Sequence, residues 1–360
     1  MTAALSLAAR GLGRVWPNPA VGCVIVGADG SVVGRGWTQP GGRPHAEAEA
    51  LARAGAAARG ATAYVTLEPC SHHGETPPCA DALAAAGIAR VEVAVEDPDS
   101  RVSGAGLKRL ADAGVETSRG LLREQAEEVN AGYLMRQRSG RPLVALKLAS
   151  TLDGRIATHA GESQWITGEA ARARVHLMRA RHDAVMVGIG TALADDPALT
   201  CRLPGLEAAS PVRIVVDARL QLPLTGRLVM TAKGTPTWLV TVAGGDKARR
   251  EALKDCGVRL IEVDQAADGY PDPAAVLDAL GKAGLTRLLV EGGGHIAAAW
   301  LRADLVDRLY WFRAAGVMGG DGVPAVAAYG IEELALMRRF RRISVLPVGE
   351  DMLESYARQG

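Results

Sequence analysis

Aromatic side chains are scarce in this sequence. They make up 4% of 360 residues, and only two are phenylalanine. The core must therefore be built from Ala, Val, Leu and Ile, with Gly and Ala allowing close approach. Net charge is nearly missing as well: 41 Lys and Arg stand against 40 Asp and Glu, leaving +1. Such a balance creates no long-range field for a polyanion, so nucleic acid is not expected as the main ligand. A small phosphorylated substrate held by a few local arginines stays open. No apolar run approaches the roughly 20 residues of a membrane span, and the N-terminus lacks a signal-peptide pattern, so no membrane partner is expected. Cysteines number five, an odd count with no disulfide-framework spacing. Cys23, Cys201 and Cys256 read as small apolar fillers. Together these absences predict a cytoplasmic globular protein, long enough for two ordinary domains.

What is present concentrates between Pro44 and Cys79. His45-Ala46-Glu47 is followed by an apparent helix, then Leu67-Glu68-Pro69-Cys70, then a loop closing at Cys79. One imidazole and two thiols leave the fourth tetrahedral position of a zinc ion open, the mark of a catalytic site. Glu47, two residues from His45, can carry protons between an activated water and a substrate. His-x-Glu with Pro-Cys and a second Cys is the signature of zinc-dependent deaminases. The usual second half is Pro-Cys-x-x-Cys, whereas here eight residues separate Cys70 from Cys79.

Around this motif the pattern alternates. Thr2 to Gly11 reads as a helix, and Val21–Val26 and Val32–Trp37 as a hairpin about Ala28-Asp29-Gly30-Ser31. Ala46, Ala50, Leu51 and Ala54 recur at helical spacing, with His45 and Glu47 in the first turn. Strands are predicted at Thr62–Leu67, Arg90–Val95 and Val115–Ser118. Helices are predicted at Cys79–Ala86, Gly106–Ala113 and, as one long element, Leu121–Met135. The alternation specifies an α/β layer fold. Gln137 to Pro142 reads as a linker, dividing the chain into domains 1–140 and 141–360.

Past the linker, Leu143–Leu148 opens a new core. Thr167 is the expected cap of a helix Ala170–Arg181. Strands follow at Ala184–Val187, Pro211–Asp217, Thr237–Thr241, Arg259–Val263 and Arg287–Val290, with closing strands at Asp307–Ala314 and Arg341–Val348. Two strand-to-helix turns, Gly188-Ile189-Gly190-Thr191 and Glu291-Gly292-Gly293-Gly294, expose backbone N–H groups suited to phosphates. Neither completes the dinucleotide fingerprint, because Leu193 and Ala297 occupy the third glycine positions. A standard Rossmann site is therefore not expected. His176 and His182 read as structural or solvated.

The motifs together resemble a known family. Asn18-Pro19, Val21-Gly22-Cys23-Val24-Ile25-Val26, His45-Ala46-Glu47 and the Cys70–Cys79 stretch with its His72-His73-Gly74 are similar to the deaminase half of the bifunctional deaminase/reductase family of riboflavin biosynthesis. Lys147–Arg155, Gly161–Thr167, Val187–Thr191, Asp195-Asp196-Pro197 and Glu291-Gly292-Gly293 resemble its reductase half. The resemblance implies a cytidine-deaminase-like three-layer α/β domain, followed by an α/β domain similar to dihydrofolate reductase that uses NADPH.

By the same resemblance, His45, Cys70 and Cys79 hold zinc, Glu47 shuttles protons, Asn18 touches the pyrimidine and His72 lies near the substrate. Ala149, Trp165, Thr191, Asp195 and the run Gly293, Gly294, His295, Ile296, Ala297, Ala298 and Ala299 line the NADPH site. Ser163, Arg179, Leu199, Arg202 and Glu291 hold the second substrate. Lys147 and Asp195 are the candidates for the proton path and positioning in reduction. Thr38 and Glu75 depart from the cations expected at those positions in many relatives, and Arg43 is the candidate that compensates. The expected substrates are 2,5-diamino-6-ribosylamino-4(3H)-pyrimidinone 5′-phosphate, which is deaminated, and its uracil product, which is reduced to the ribitylamino compound. A homodimer is implied by the family alone. The competing readings are a nucleic-acid base deaminase with an accessory domain and a non-catalytic ligand-binding or assembly protein.

Overall fold

The structure is a computed structural model that describes residues 1–72, 77–99 and 102–359. The chain divides into two compact units, Met1–Gly140 and Arg141–Gly360. Among the described residues, no helix is long and apolar enough to cross a membrane.

The first unit runs through helix α1 (Thr2–Ala8), strands β1 (Gly22–Val26) and β2 (Val32–Trp37), and helix α2 (Ala46–Ala54). It continues with β3 (Thr62–Val65), α3 (Cys79–Ala85), β4 (Arg90–Val93), α4 (Ala105–Asp112), β5 (Glu116–Arg119), α5 (Arg123–Val129) and α6 (Ala131–Ser139). The strands form one sheet in the order β2-β1-β3-β4-β5. Strand β1 is antiparallel to β2 and β3, while β3, β4 and β5 are parallel.

Glycines explain how helices cover both faces of this sheet. A Cβ on Gly22 would lie 1.9 Å from the carbonyl oxygen of Ala4 in α1. One on Gly36 would lie 2.0 Å from that of Ala46 in α2. Gly36 is the register partner of Cys23, and Cys23 faces the opposite side from its neighbour Gly22. Helices α1 and α2 therefore sit on opposite faces of β1 and β2, each seated directly on backbone. The layer between them is small and aliphatic, with Cys23, Ile25, Ala46, Ala50 and Ala63 fully buried.

The long helix expected over Leu121–Met135 is two helices, α5 and α6, meeting at Asn130. The Asn130 side chain is buried and bonds both backbone groups of Ala20, accepting from N at 2.9 Å and donating to O at 3.1 Å. This tertiary bond fixes the chain next to Asn18-Pro19, and the helix breaks to allow it. Gln137, expected in the linker, belongs to α6.

The second unit contains β6 (Leu143–Ser150), β7 (Arg155–Ala157), α7 (Glu169–Ala180), β8 (Ala184–Gly188), α8 (Ile189–Asp195), β9 (Val212–Val216), α9 (Arg227–Met230) and β10 (Thr237–Val242). Then come α10 (Lys247–Asp255), β11 (Arg259–Val263), α11 (Pro273–Lys282), β12 (Arg287–Glu291), α12 (Gly294–Arg302), β13 (Arg308–Arg313), β14 (Val323–Pro324), β15 (Phe340–Val348) and β16 (Asp351–Arg358). Nine strands form a sheet in the order β11-β10-β9-β8-β12-β6-β13-β16-β15, and β7 pairs with β14 separately. The sheet is parallel as far as β13; β16 and β15 add to it antiparallel. The central strands β6, β8 and β12 are almost wholly buried, which accounts for their unbroken Val/Leu/Ala runs.

Two expectations are corrected here. Thr167 does not cap α7: Gly168 holds that position, and its N–H donates to Asp351 Oδ2 at 2.7 Å. Strand β16 was not anticipated, because Asp351, Glu354, Ser355 and Arg358 make it look like a polar tail. Its neighbours β13 and β15 cover it from both edges.

Candidate functional site

In the first unit, α2 begins at Ala46, with extended His45 as its N-cap and Glu47 buried in its first turn. Cys70 follows β3, and Cys79 opens α3. His45 Nδ1 lies 3.6 Å from Cys70 Sγ and 3.3 Å from Cys79 Sγ. All three ligand atoms are within 4.8 Å of one another. A tetrahedral zinc with bonds of about 2.0 and 2.3 Å holds nitrogen and sulfur roughly 3.5 Å apart, so this donor set fits zinc. The longer spacing between the cysteines does not disturb it, because Cys79 N–H donates to Cys70 Sγ at 3.3 Å and closes the loop.

The electrostatics suit a cation at this point. The hydrogen bond between the two thiols pulls the Cys70 thiol down to about 4, and the same bond, with burial, pushes the Cys79 thiol up. Burial, offset in part by His45, lifts the Glu47 carboxyl to about 7. A buried carboxyl that exchanges a proton near neutrality is suited to shuttling.

His45, Glu47 and Cys70 face a cavity of about 290 Å³. Asn18 and His72 line it together with His45, Glu47 and Cys70, so the structure brings the expected deaminase residues to one place. Gly42 makes room for Asn18, since a Cβ there would sit 2.0 Å from the Asn18 amide nitrogen. Among the described residues, His72 Nδ1 is buried without a hydrogen-bond partner. Thr38 is 3% exposed and accepts from Val21 N–H at 3.0 Å, so its hydroxyl is committed to the backbone. Glu75 lies outside the described residues.

Three contributors were missed in the sequence. Glu68 accepts from the N–H groups of Asp97, Gly104, Gly106 and Leu107 at 2.9–3.2 Å, tying the Pro69-Cys70 turn to the start of α4. Tyr133 Oη donates to both oxygens of Asp97, at 3.0 and 3.2 Å. Burial raises Asp97 to about 6. Arg136, also on α6, is a third, and with Tyr133 and Gln137 it lines the cavity. Only a Glu before Pro-Cys offered any sequence signal, since Tyr133 fell inside the expected long helix and Arg136 just past its end.

The second unit holds a cavity of about 500 Å³ where β6, β8 and β12 end. Lys147, Ala149, Ser163, Arg179, Thr191, Asp195, Leu199, Glu291 and the turn Gly292–Ile296 line it. Lys147 and Glu291 are register partners on adjacent parallel strands. Burial lowers the Lys147 pKa, and Arg179 lowers it further, against the pull of Glu291. Burial works against the Glu291 charge, but Arg179 more than offsets this and holds the carboxyl below its usual value. Burial raises Asp195.

Gly293 N–H donates to Thr191 Oγ1 at 3.2 Å, joining the two glycine turns. A Cβ on Gly294 would meet the Pro324 carbonyl at 2.7 Å, so the chain after β14 presses on the start of α12. Open N–H groups at that start fit the phosphates of a dinucleotide.

Several expected residues stand apart. Ala297 and Ala298 are 0% and 3% exposed in the body of α12, facing the protein interior, and Ala299 does not line the cavity. Arg202 is exposed and outside it. Trp165 is 69% exposed, with the Arg172 guanidinium 4.6 Å from its ring centre. It lines a separate, open cavity that shares Ser163 with the first. His182 is buried, with Nδ1 2.7 Å from the Met178 carbonyl oxygen. His176 Nδ1 lies 3.0 Å from the Thr200 carbonyl oxygen.

Comparison with known proteins matches this pair of sites. Residues 1–95 match the family described as cytidine and deoxycytidylate deaminase zinc-binding region, and residues 142–353 match the RibD C-terminal domain. The chain is 42% identical to the riboflavin biosynthesis protein RibD of Escherichia coli K12, over 98% of this chain and 96% of that one. The solved structure of Acinetobacter baumannii RibD, form 1, has a TM-score of 0.88 at 37% identity, covering 100% of this chain and 98% of its own. The Thermotoga maritima diaminohydroxyphosphoribosylaminopyrimidine deaminase/5-amino-6-(5-phosphoribosylamino)uracil reductase has a TM-score of 0.87 at 33% identity, covering 100% and 97%. Matches spanning both units disfavour a nucleic-acid base deaminase with an unrelated accessory domain. The second unit accordingly has the dihydrofolate-reductase-like fold of the RibD reductase domain. The chain belongs to the RibD family of riboflavin biosynthesis, a bifunctional enzyme in which a zinc-binding deaminase domain precedes a pyrimidine reductase domain.

Proposed function

We propose that the first unit hydrolyses the amino group of 2,5-diamino-6-ribosylamino-4(3H)-pyrimidinone 5′-phosphate, and that the second reduces the resulting ribosylamino uracil phosphate with NADPH. One observation carries the deaminase assignment: His45, Cys70 and Cys79 converge beside a buried Glu47 at one cavity. A zinc ion held by those three residues supplies Lewis acidity and an activated water at neutral pH. Glu47 takes the proton from the attacking water and passes it to the departing nitrogen. Water adds to the amine-bearing ring carbon, ammonia leaves, and a ring carbonyl remains. Asn18 and His72 orient the pyrimidine over this point.

In the second unit NADPH supplies the hydride for C1′ of the opened ribose. The start of α12 and Thr191 receive its phosphates. Lys147 holds the proton that the ring oxygen needs, and Asp195 positions the reacting groups. Ser163, Leu199 and the Arg179–Glu291 pair line the substrate pocket.

The test supplies the diaminopyrimidine ribotide with and without NADPH, and with and without chelator. Ammonia release that needs zinc but not NADPH, followed by NADPH oxidation, is expected. No ammonia from zinc-loaded protein would sink the deaminase assignment. Ammonia without later NADPH oxidation would sink the reductase one.

A further inference from the structure

One carboxylate of the second unit has no part in the chemistry proposed above, yet three donor groups converge on it. Asp153 sits in a turn that Gly154 N–H closes on the Thr151 carbonyl at 3.1 Å. Its Oδ1 accepts from the Thr151 hydroxyl at 2.6 Å. The other donors lie far along the chain. Met318 N–H donates to both oxygens, at 3.1 and 3.2 Å, and Gly319 N–H donates to Oδ2 at 2.7 Å. The Thr151 hydroxyl, then these N–H groups, hold the carboxyl down at about 2, so it is ionised at neutral pH.

The segment held by Asp153 is part of the reductase cavity. Strands β7 and β14 form a two-stranded flap apart from the nine-stranded sheet. Ile156 and Ala157 of β7 and Val323 of β14 line the cavity. Leu152 N–H donates to the Gly316 carbonyl at 2.8 Å, and Ala325 N–H donates to that of Gly154 at 2.9 Å. The turn at Asp153 thus clasps residues 316–325 at both ends. Just past β14, Ala327 N–H donates to the Gly294 carbonyl at 3.0 Å, where α12 begins. The clasp therefore leads, through a few residues of chain, to the N–H groups assigned above to the cofactor phosphates.

Burial does little to fix this segment. Of residues 315–324 only Gly322 is buried. A Cβ there would lie 3.0 Å from Arg155 Cγ and 3.2 Å from the Ala157 carbonyl oxygen, so Gly322 rests directly on β7. A segment with so little buried apolar surface depends on directed hydrogen bonds for its position.

We infer that Asp153 is a positioning residue for the cofactor: it latches residues 316–325 so that Val323 and the start of α12 meet NADPH in binding geometry. This rests on the proposed use of NADPH in this cavity. The sign of the effect separates a latch from a charge. Removing a carboxylate near a polyanion tightens binding by Coulomb's law, whereas removing a latch loosens it.

The test measures the Kd for NADPH from the fluorescence of its dihydronicotinamide, alongside KM and kcat for reduction of the uracil ribotide. Asp153→Ala is expected to raise Kd and KM for NADPH at least about threefold, while kcat stays within about twofold. Asp153→Asn keeps one acceptor oxygen and restores part of the loss; it carries the test if Asp153→Ala fails to fold by its melting curve. Gly322→Ala pushes β14 off β7 without touching the carboxylate and raises Kd as well. Asp321→Asn removes a charge from the same segment and leaves Kd at or below the wild-type value. Amide hydrogen exchange without cofactor reads the latch itself: residues 316–325 exchange faster in Asp153→Ala. A folded Asp153→Ala protein whose Kd rises less than about threefold overturns the inference. So does unchanged exchange in residues 316–325, or a loss of kcat with Kd unmoved. Wild-type protein that binds no NADPH overturns the proposed function instead.

Discussion

Arg179 and Glu291 form a two-pronged ion pair in the wall of the reductase cavity. Nε donates to Oε1 at 2.7 Å and Nη2 donates to Oε2 at 2.8 Å. The third nitrogen, Nη1, donates to the Thr200 carbonyl at 3.2 Å. The two residues come from α7 and the end of β12, and the pair lies beside Lys147. Arg179 thus does more than await a phosphate: it keeps a buried carboxylate ionised next to a buried lysine.

Breaking the pair from one side should destabilise more than removing both members. Arg179→Met leaves the Glu291 charge buried, at a cost of about 3–5 kcal/mol. Arg179→Met with Glu291→Leu leaves no unpaired charge and should recover much of that loss. Denaturant unfolding of the two single variants and the double gives the coupling. All three should lose NADPH oxidation, because the cavity wall is altered in each.

The metal and its proton shuttle should separate cleanly. Chelation should remove one zinc per chain and abolish ammonia release, while NADPH oxidation with preformed uracil ribotide continues. Glu47→Gln should retain zinc, measured by metal analysis, and lower kcat for ammonia release by about 10²-fold or more. Cys70→Ser should lose both metal and activity. Zinc loss in Glu47→Gln would mean that Glu47 supports the metal site rather than carrying protons.

The two halves of the deaminase site were unequally legible in the sequence. His45, Glu47, Cys70 and Cys79 stand out because zinc chemistry admits few residue types and a narrow set of spacings. Arg136 and Gln137 do not, since a polar stripe on a helix is normally solvated. Only the tertiary bonds of Asn130 and Tyr133 turn that stripe inward. The Arg179–Glu291 pair was hidden for a similar reason: 112 residues separate its members, and each alone reads as an ordinary charge. Ala297 and Ala298 present the opposite case. They follow a glycine turn that faces the cavity, but helical rotation carries them into the core within one turn.

Gly36 connects the fold to the metal. Because α2 rests on its backbone, Gly36→Ala must lift the helix that carries Glu47 and begins at His45. A stability loss of about 1–3 kcal/mol in the first unit is expected. Zinc affinity should fall with it, read by competition with a chromophoric chelator. NADPH oxidation by the second unit should persist at temperatures where the first remains folded. An unchanged zinc affinity would show that the ligands are held without the contact between α2 and β2.

Lys147 offers a test of sign. Burial drives its pKa below the ordinary lysine value of 10.5; Arg179 pushes the same way, and Glu291 opposes them. The alkaline limb of the reductase pH profile should therefore fall below that value. Glu291→Gln removes the opposing anion and should move the limb to still lower pH. The same shift has a consequence for stability. The folded state binds the lysine proton less readily than the unfolded state, so the charged side chain works against folding at neutral pH. That penalty is present below the folded pKa and is relieved as pH rises from there towards 10.5. Lys147→Met should accordingly raise the melting temperature at pH 7, with the gain shrinking towards pH 10, while abolishing NADPH oxidation. A protein that gives up stability to keep an ammonium in this wall is using that charge, whereas a lysine placed only for packing would show no such exchange.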